Sequence, residues 1–239
     1  MISFITSSPF REDVDRPTFS NQNGFLDCIR THLMPYPRCL YICSSPDRTD
    51  LNCRFGADIF MAFANAGIHF SAYNVLDERN ADKAEKLVSG SDLIVLAGGH
   101  LPTQNAFFQK IGLRRLLQGH PGVVMGISAG SMNCAEVVYA QPEEPGESAD
   151  SFERFLPGLG LTWVQILPHY QKVKDTYLDG RWLYEDITFA DSMGNTFFAL
   201  PDFSYVVDDG EKALLFGEGY CIRDGMMMQI SSHGQVLQL

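Results

Sequence analysis

Ser128 stands in Gly126-Ile127-Ser128-Ala129-Gly130-Ser131, a G-x-S-x-G run between the apolar stretch 123–127 and a string of small residues. In that setting a serine occupies a sharp strand-to-helix turn. Its Oγ projects from the end of a sheet, and the first N–H groups of the helix face a developing oxyanion. A serine hydroxyl needs a base to take its proton. Of the six histidines, His169 in Leu167-Pro168-His169-Tyr170 follows an apolar run and belongs at a strand end, the same edge as the serine turn. An acid that orients the base is expected further along, and Leu200-Pro201-Asp202-Phe203-Ser204 supplies Asp202 at another strand end. Asp208, Asp209 and Asp224 read as turn residues instead. The chemistry these types would support is acyl transfer through a Ser128–His169–Asp202 relay.

An oxyanion needs more than one donor. Ala97-Gly98-Gly99-His100 ends the preceding apolar run, and its two glycines let the backbone approach a ligand closely. A second N–H from Gly99 or His100 then complements that of Ala129, and the His100 side chain is assigned to substrate contact.

The elements that must position these groups follow from the hydrophobic pattern. Apolar runs at 2–6, 39–43, 70–75, 93–97 and 123–127 read as strands, and the stretches 23–33, 51–66, 81–88 and 106–117 between them read as helices. Alternation of this kind predicts βαβ units, hence an α/β fold with a doubly wound, mainly parallel sheet flanked by helices. Residues 93–97 and 123–127 carry no polar alternation, as central strands do. Beyond residue 139 the pattern changes. Residues 141–146 read as a surface loop with two prolines and a glycine, followed by a strand at 163–167 and a helix at 181–190. Short strands at 196–200, 205–207, 213–216 and 226–230, with Asp-Asp-Gly and Arg-Asp-Gly turns, predict a small antiparallel extension at the C-terminal end. Residues 1–239 contain no repeat or linker, so a single domain is expected.

Composition narrows the partners. The 18 Lys+Arg against 29 Asp+Glu leave a net charge of −11, which argues against nucleic acid and anionic membrane surfaces as main partners. The six cysteines show no C-x-x-C pair and no histidine at a zinc-ligand interval, so neither a metal nor another cofactor is expected. The first residues lack the basic segment of a signal peptide and no run reaches the ~18 apolar residues of a membrane span, so a cytoplasmic protein is expected.

Taken together, the strand ending in Ala97-Gly98-Gly99, the Ser128 turn, Pro168-His169-Tyr170 and Asp202-Phe203-Ser204 resemble the peptidase E (α-aspartyl dipeptidase) family of serine peptidases. That family also includes cyanophycinase-like enzymes, and its fold is similar to that of class I glutamine amidotransferases. The likeness spans about residues 1 to 220. It implies Ser128 as nucleophile, His169 as base, position 202 as acid, Gly99 and Ala129 as the oxyanion hole, and a small peptide, such as a dipeptide, as substrate. A homodimer is left open. This chain departs from the family pattern in His100, where Asn is usual, and in Asp202-Phe203, where Glu-Gly is usual. A preference for an N-terminal aspartyl residue would need a basic partner, for which Arg181 is the candidate, with Lys172 and Lys174 behind it. Two other functions compete. An α/β-hydrolase-type esterase would run Ser128, an acid such as Asp202 or Asp208, then His233. A binding protein with a degraded triad would explain Asp202-Phe203. A glutamine amidotransferase is disfavoured because the turn carries serine, not cysteine.

Overall fold

In the computed structural model, which describes residues Met1–Leu239, five apolar runs form β1 (Ile2–Thr6), β2 (Arg38–Ile42), β3 (Ala72–Leu76), β4 (Leu93–Leu96) and β5 (Val123–Ile127). They lie in the order β1-β5-β4-β2-β3, every pair parallel. Parallel neighbours require crossover connections. Here these are α1 (Phe25–His32), α2 (Thr49–Asn65), α3 (Ala84–Ser89), and the pair α4 (Leu101–Lys110) and α5 (Leu113–Leu117). Both β4 and β5 are buried along their whole length, as strands covered on both faces must be. The mainly parallel sheet expected from the alternation is thus present.

After β5 comes the short α6 (Ala129–Met132), then an antiparallel pair, β6 (Val137–Tyr139) and β7 (Phe155–Pro157). Next are β8 (Ile166–Leu167), α7 (Tyr170–Val173), the small hairpin of β9 (Tyr177–Leu178) with β10 (Arg181–Trp182), a π-helical turn over Leu183–Thr188 and α8 (Phe189–Asp191). The chain ends in β11 (Thr196–Ala199), β12 (Tyr205–Asp208), β13 (Ala213–Phe216), β14 (Gly219–Arg223), β15 (Met226–Ser231) and β16 (Val236–Gln238). Strands β12, β13 and β16 extend the large sheet beyond β1, antiparallel throughout. A second sheet runs β15-β14-β11-β8, with only the β11–β8 pair parallel. A cluster of 54 buried apolar residues draws on both sheets. No helix is long and apolar enough to cross a membrane.

The sequence reading named no strand at β6, β7, β9, β14 or β16, and three further segments differ from it for a visible local cause. The stretch 106–117 is two helices, because Gly112 adopts φ 63° and breaks the run, and the first begins at Leu101 with a proline in its first turn. The strand expected at 163–167 shrinks to β8, since the Thr162 hydroxyl accepts the Val164 N–H at 3.1 Å and turns the backbone there. Arg181 and Trp182 pair as a strand, so helical structure starts only at Leu183.

Candidate active site

Thr6 at the end of β1 lies opposite Ile127 at the end of β5. One residue on, the Ser128 N–H donates to the carbonyls of Thr6 at 3.1 Å and Ser7 at 3.0 Å, which pins the turn to the sheet. Ser128 takes φ 51° and ψ −117°, a conformation that costs an L-residue about 1–3 kcal/mol and lifts its side chain off the sheet edge. Gly130 makes the turn possible. A Cβ there would sit 2.3 Å from the Leu96 carbonyl oxygen, so only glycine lets α6 lie against β4.

The second sheet delivers the other two groups. Because β8 and β11 run parallel, with Leu167 opposite Ala199, the segments Pro168-His169 and Leu200-Pro201-Asp202 leave the same end side by side. The His169 ring then bridges the two sheets: Nε2 lies 2.9 Å from Ser128 Oγ and Nδ1 lies 2.7 Å from Asp202 Oδ1. With the Nδ1 proton donated to the carboxylate, Nε2 is left to accept from the serine hydroxyl.

Asp202 is itself held from several sides. Gln171 Nε2 donates to its Oδ2 at 2.7 Å while Gln171 Oε1 accepts the Asp202 N–H at 3.0 Å. Lys172 Nζ lies 2.9 Å from Oδ2, and the Ser7 hydroxyl donates to Oδ1 at 3.2 Å. Burial alone would raise this carboxyl, but the hydrogen bonds and charges of His169 and Lys172 outweigh it and hold it at about 2. The carboxylate is therefore ionised wherever the histidine could serve as a base. Beside it, Phe203 sits at φ 68°, in the left-handed region, at the place where the resembling family carries glycine. Three of the seven non-glycine residues with positive φ are Ser128, His169 and Phe203, so backbone strain concentrates here.

Two backbone N–H groups near this turn are free, one on the residue after Ser128 and one on the loop after β4. The N–H groups of Ala129 and Gly99 donate to no protein acceptor. Gly99 has φ 147° and no room for a side chain, since a Cβ would fall 2.3 Å from Ser44 Oγ. Gly99, Ser128 and His169 line one cleft of about 420 Å³, a size suited to a small peptide. Its remaining walls include Met132, Pro168, Val173 and Leu183, together with Gln141 and Glu143 from the loop read as surface.

Two residues assigned to substrate contact lie elsewhere. Arg181 does not line the cleft: its guanidinium faces the Ser148 carbonyl at 3.4 Å and Asp150 at 3.6 Å, because β10 pairs with β9 and directs it there. His100 caps α4 and is engaged on both nitrogens, by Thr103 Oγ1 at 2.7 Å and Glu147 Oε1 at 2.8 Å. Lys172 is taken up by Asp202 and Glu12. His233 is exposed in the turn between β15 and β16, outside the cleft.

The ligating atoms of His100, Glu144 and Glu147 lie within 4.8 Å of one another. However, His100 Nε2 is paired with Glu147, whose other oxygen accepts the N–H groups of Glu143 and Glu144. The His100 and Glu147 atoms tie down a loop.

Sequence reasoning missed Ser7, Gln171 and Glu143 and gave Lys172 another task. Ser7 and Gln171 carried a usable signal, one directly after a strand and the other two residues past His169. Glu143 carried none, because an acidic Pro-Gly loop looks the same whether or not it folds over a cleft.

The profile of Peptidase family S51 matches residues 41–215, which include Gly99, Ser128, His169 and Asp202. Among solved structures the chain is similar to a protein from Listeria monocytogenes EGD-e provisionally described as peptidase E. The TM-score is 0.58 at 13% identity, covering 96% of this chain and 98% of that one. At this identity the likeness speaks to the fold alone. No curated protein sequence matches the chain.

Proposed function

The chain belongs to peptidase family S51, and on that premise we propose that it is a serine peptidase cleaving small peptides, dipeptides among them, through an acyl-enzyme. Ser128 is the nucleophile, His169 the general base, Asp202 the orienting acid, and the N–H groups of Gly99 and Ala129 the oxyanion hole. The observation that carries this reading is the His169 bridge, 2.9 Å to Ser128 Oγ and 2.7 Å to Asp202.

In the first step Ser128 Oγ adds to the scissile carbonyl carbon while its proton passes to His169 Nε2. Asp202 stabilises the imidazolium that results and keeps its Nδ1 proton in place. The carbonyl oxygen, now negative, is met by the two free N–H groups. Collapse of the tetrahedral intermediate breaks the C–N bond, and His169 gives its proton to the leaving amine. Water, deprotonated by the same nitrogen, then releases the acyl group and restores Ser128.

The esterase order loses its support with His233 exposed and away from the cleft. The degraded reading loses its own with Asp202 in contact with the ring. A mixed dipeptide pool incubated with wild type and Ser128→Ala tests the proposal. Turnover should drop by about 10⁴–10⁶ in the variant, as for loss of one member of a cooperating set. A folded Ser128→Ala protein that cleaves peptides at the wild-type rate would refute it.

A further inference from the structure

Residues 141–146 read as a surface loop, yet the fold fixes them, with Glu147 and Ser148 that follow, on three sides. Glu147 Oε2 accepts the N–H groups of Glu143 at 2.8 Å and Glu144 at 3.0 Å, while its Oε1 meets His100 Nε2 at 2.8 Å. Arg154 donates to the carbonyls of Glu147 at 2.5 Å and Ser148 at 3.1 Å. Asp179 accepts from the Gly146 N–H at 2.7 Å and the Ser148 hydroxyl at 2.9 Å. His100, next to the oxyanion loop, thus acts as a strut for the segment that carries Glu143 into the cleft.

Glu143 is the one carboxylate among the residues lining that cleft, and no lysine or arginine lines it. No direct hydrogen bond or ion pair of the protein engages its carboxylate, unlike that of Glu147 or Asp202, although the His100 and His169 rings lie near enough to favour its charge. The side chain keeps solvent contact at the cleft mouth, but the surrounding walls penalise its charge and push the carboxyl up to about 7. A carboxylate that is partly desolvated and unpaired gains most from a cation brought by the ligand.

We propose that Glu143 makes this cleft selective for peptides that carry an ammonium or guanidinium group on the residue acylated by Ser128. The proposal rests on the reading of Ser128 as nucleophile. The cation is either the free α-amine of the peptide or a lysyl or arginyl side chain. An aspartyl side chain is disfavoured, because it would face Glu143 with Arg181 and Lys172 committed elsewhere. A charge-assisted hydrogen bond in such a site is expected to be worth at least a tenfold difference in affinity.

The test follows the rate at which a fluorophosphonate labels Ser128, with dipeptides as protecting ligands. The set is Lys-Ala, N-acetyl-Lys-Ala, norleucyl-Ala, N-acetyl-norleucyl-Ala and N-acetyl-Asp-Ala. In wild type, N-acetyl-norleucyl-Ala should protect at least tenfold more weakly than Lys-Ala, and N-acetyl-Asp-Ala more weakly still. Strong protection by norleucyl-Ala assigns the cation to the α-amine; strong protection by N-acetyl-Lys-Ala assigns it to the side chain. Glu143→Gln should narrow the gap between charged and uncharged dipeptides to within twofold, and Glu143→Lys should turn the order toward N-acetyl-Asp-Ala. Equal protection by all five in wild type, or an unchanged gap in Glu143→Gln, overturns the inference while leaving Ser128 as the nucleophile. Absence of any labelling at Ser128 overturns the nucleophile reading, and this inference with it.

Discussion

Ser7 Oγ accepts the backbone N–H of His169 at 2.8 Å, joining the end of the first strand of the large sheet to the turn that carries the proposed base. The same hydroxyl donates to Asp202 Oδ1 at 3.2 Å. One side chain from the large sheet therefore holds the backbone of one residue and the carboxylate of the other, both from the small sheet. Ser7→Ala leaves the His169 N–H without its acceptor and frees the ring to drift from Ser128. Because no cleft wall changes, kcat should fall about tenfold with KM nearly constant, as expected for a misplaced base. A drop confined to KM would contradict that role.

Replacing the base separates two possible chain orders. His169→Ala should lose about 10⁴ in kcat, whereas His233→Ala should match wild type because that ring is exposed far along the chain. Steady-state rates on one peptide suffice, and the opposite pattern would return the esterase order to consideration.

At position 202 the prediction depends on reach. The shorter Asp202 contacts His169 directly at 2.7 Å because β8 and β11 are neighbours. Asp202→Asn removes the charge and the tautomer control and should cost about 10⁴ in turnover. Asp202→Glu must move an extra methylene past Gln171 and Lys172, so it should fall between the asparagine variant and wild type. Equal rates for asparagine and wild type would remove Asp202 from the mechanism.

Acid stability gives a check that needs no substrate. The Asp202 carboxyl is held at about 2, below its ordinary 3.8. Its contribution, about 2 kcal/mol at most, is fully present above pH 4 and is lost as the pH falls through 2. Urea midpoints should drop more steeply between pH 4 and 2 in wild type than in Asp202→Asn. Parallel curves would show that the carboxylate is not held as described.

Glu143 should act in the opposite sense. Although the residue is exposed at the cleft mouth, desolvation by the surrounding walls raises its carboxyl from 4.5 to about 7, with the charges of His100, Glu147, His169 and Glu144 modulating that effect. A raised acid supports the fold below pH 4.5 and loses that contribution as the pH rises through 7. Glu143→Gln should therefore gain in melting temperature relative to wild type on going from pH 5 to pH 8. A difference that does not change with pH would show that the cleft does not penalise the Glu143 charge.

The parts of this site legible in the sequence are those written into short stretches of chain. Ser128 could be read because the turn needs small residues on both sides of it, directly after an apolar strand. His169 and Asp202 could be read because each follows a strand, although nothing local says that those strands are parallel neighbours in a second sheet. Arg181 misled because a basic side chain near His169 in sequence is turned away by the pairing of Arg181 with Leu178. Glu143 and Ser7 owe their places to contacts with residues 47 and 162 positions distant or to the loop those contacts fix, which periodicity does not record. Helix boundaries failed where one backbone angle decided them, as at Gly112.

Mass-spectrometric mapping of the adduct formed with a fluorophosphonate tests Ser128 as the nucleophile without recourse to any substrate. A single phosphonylated residue, Ser128, is expected, with labelling abolished in Ser128→Ala and slowed strongly in His169→Ala. An adduct on any other residue, or equal labelling of wild type and Ser128→Ala, would contradict it.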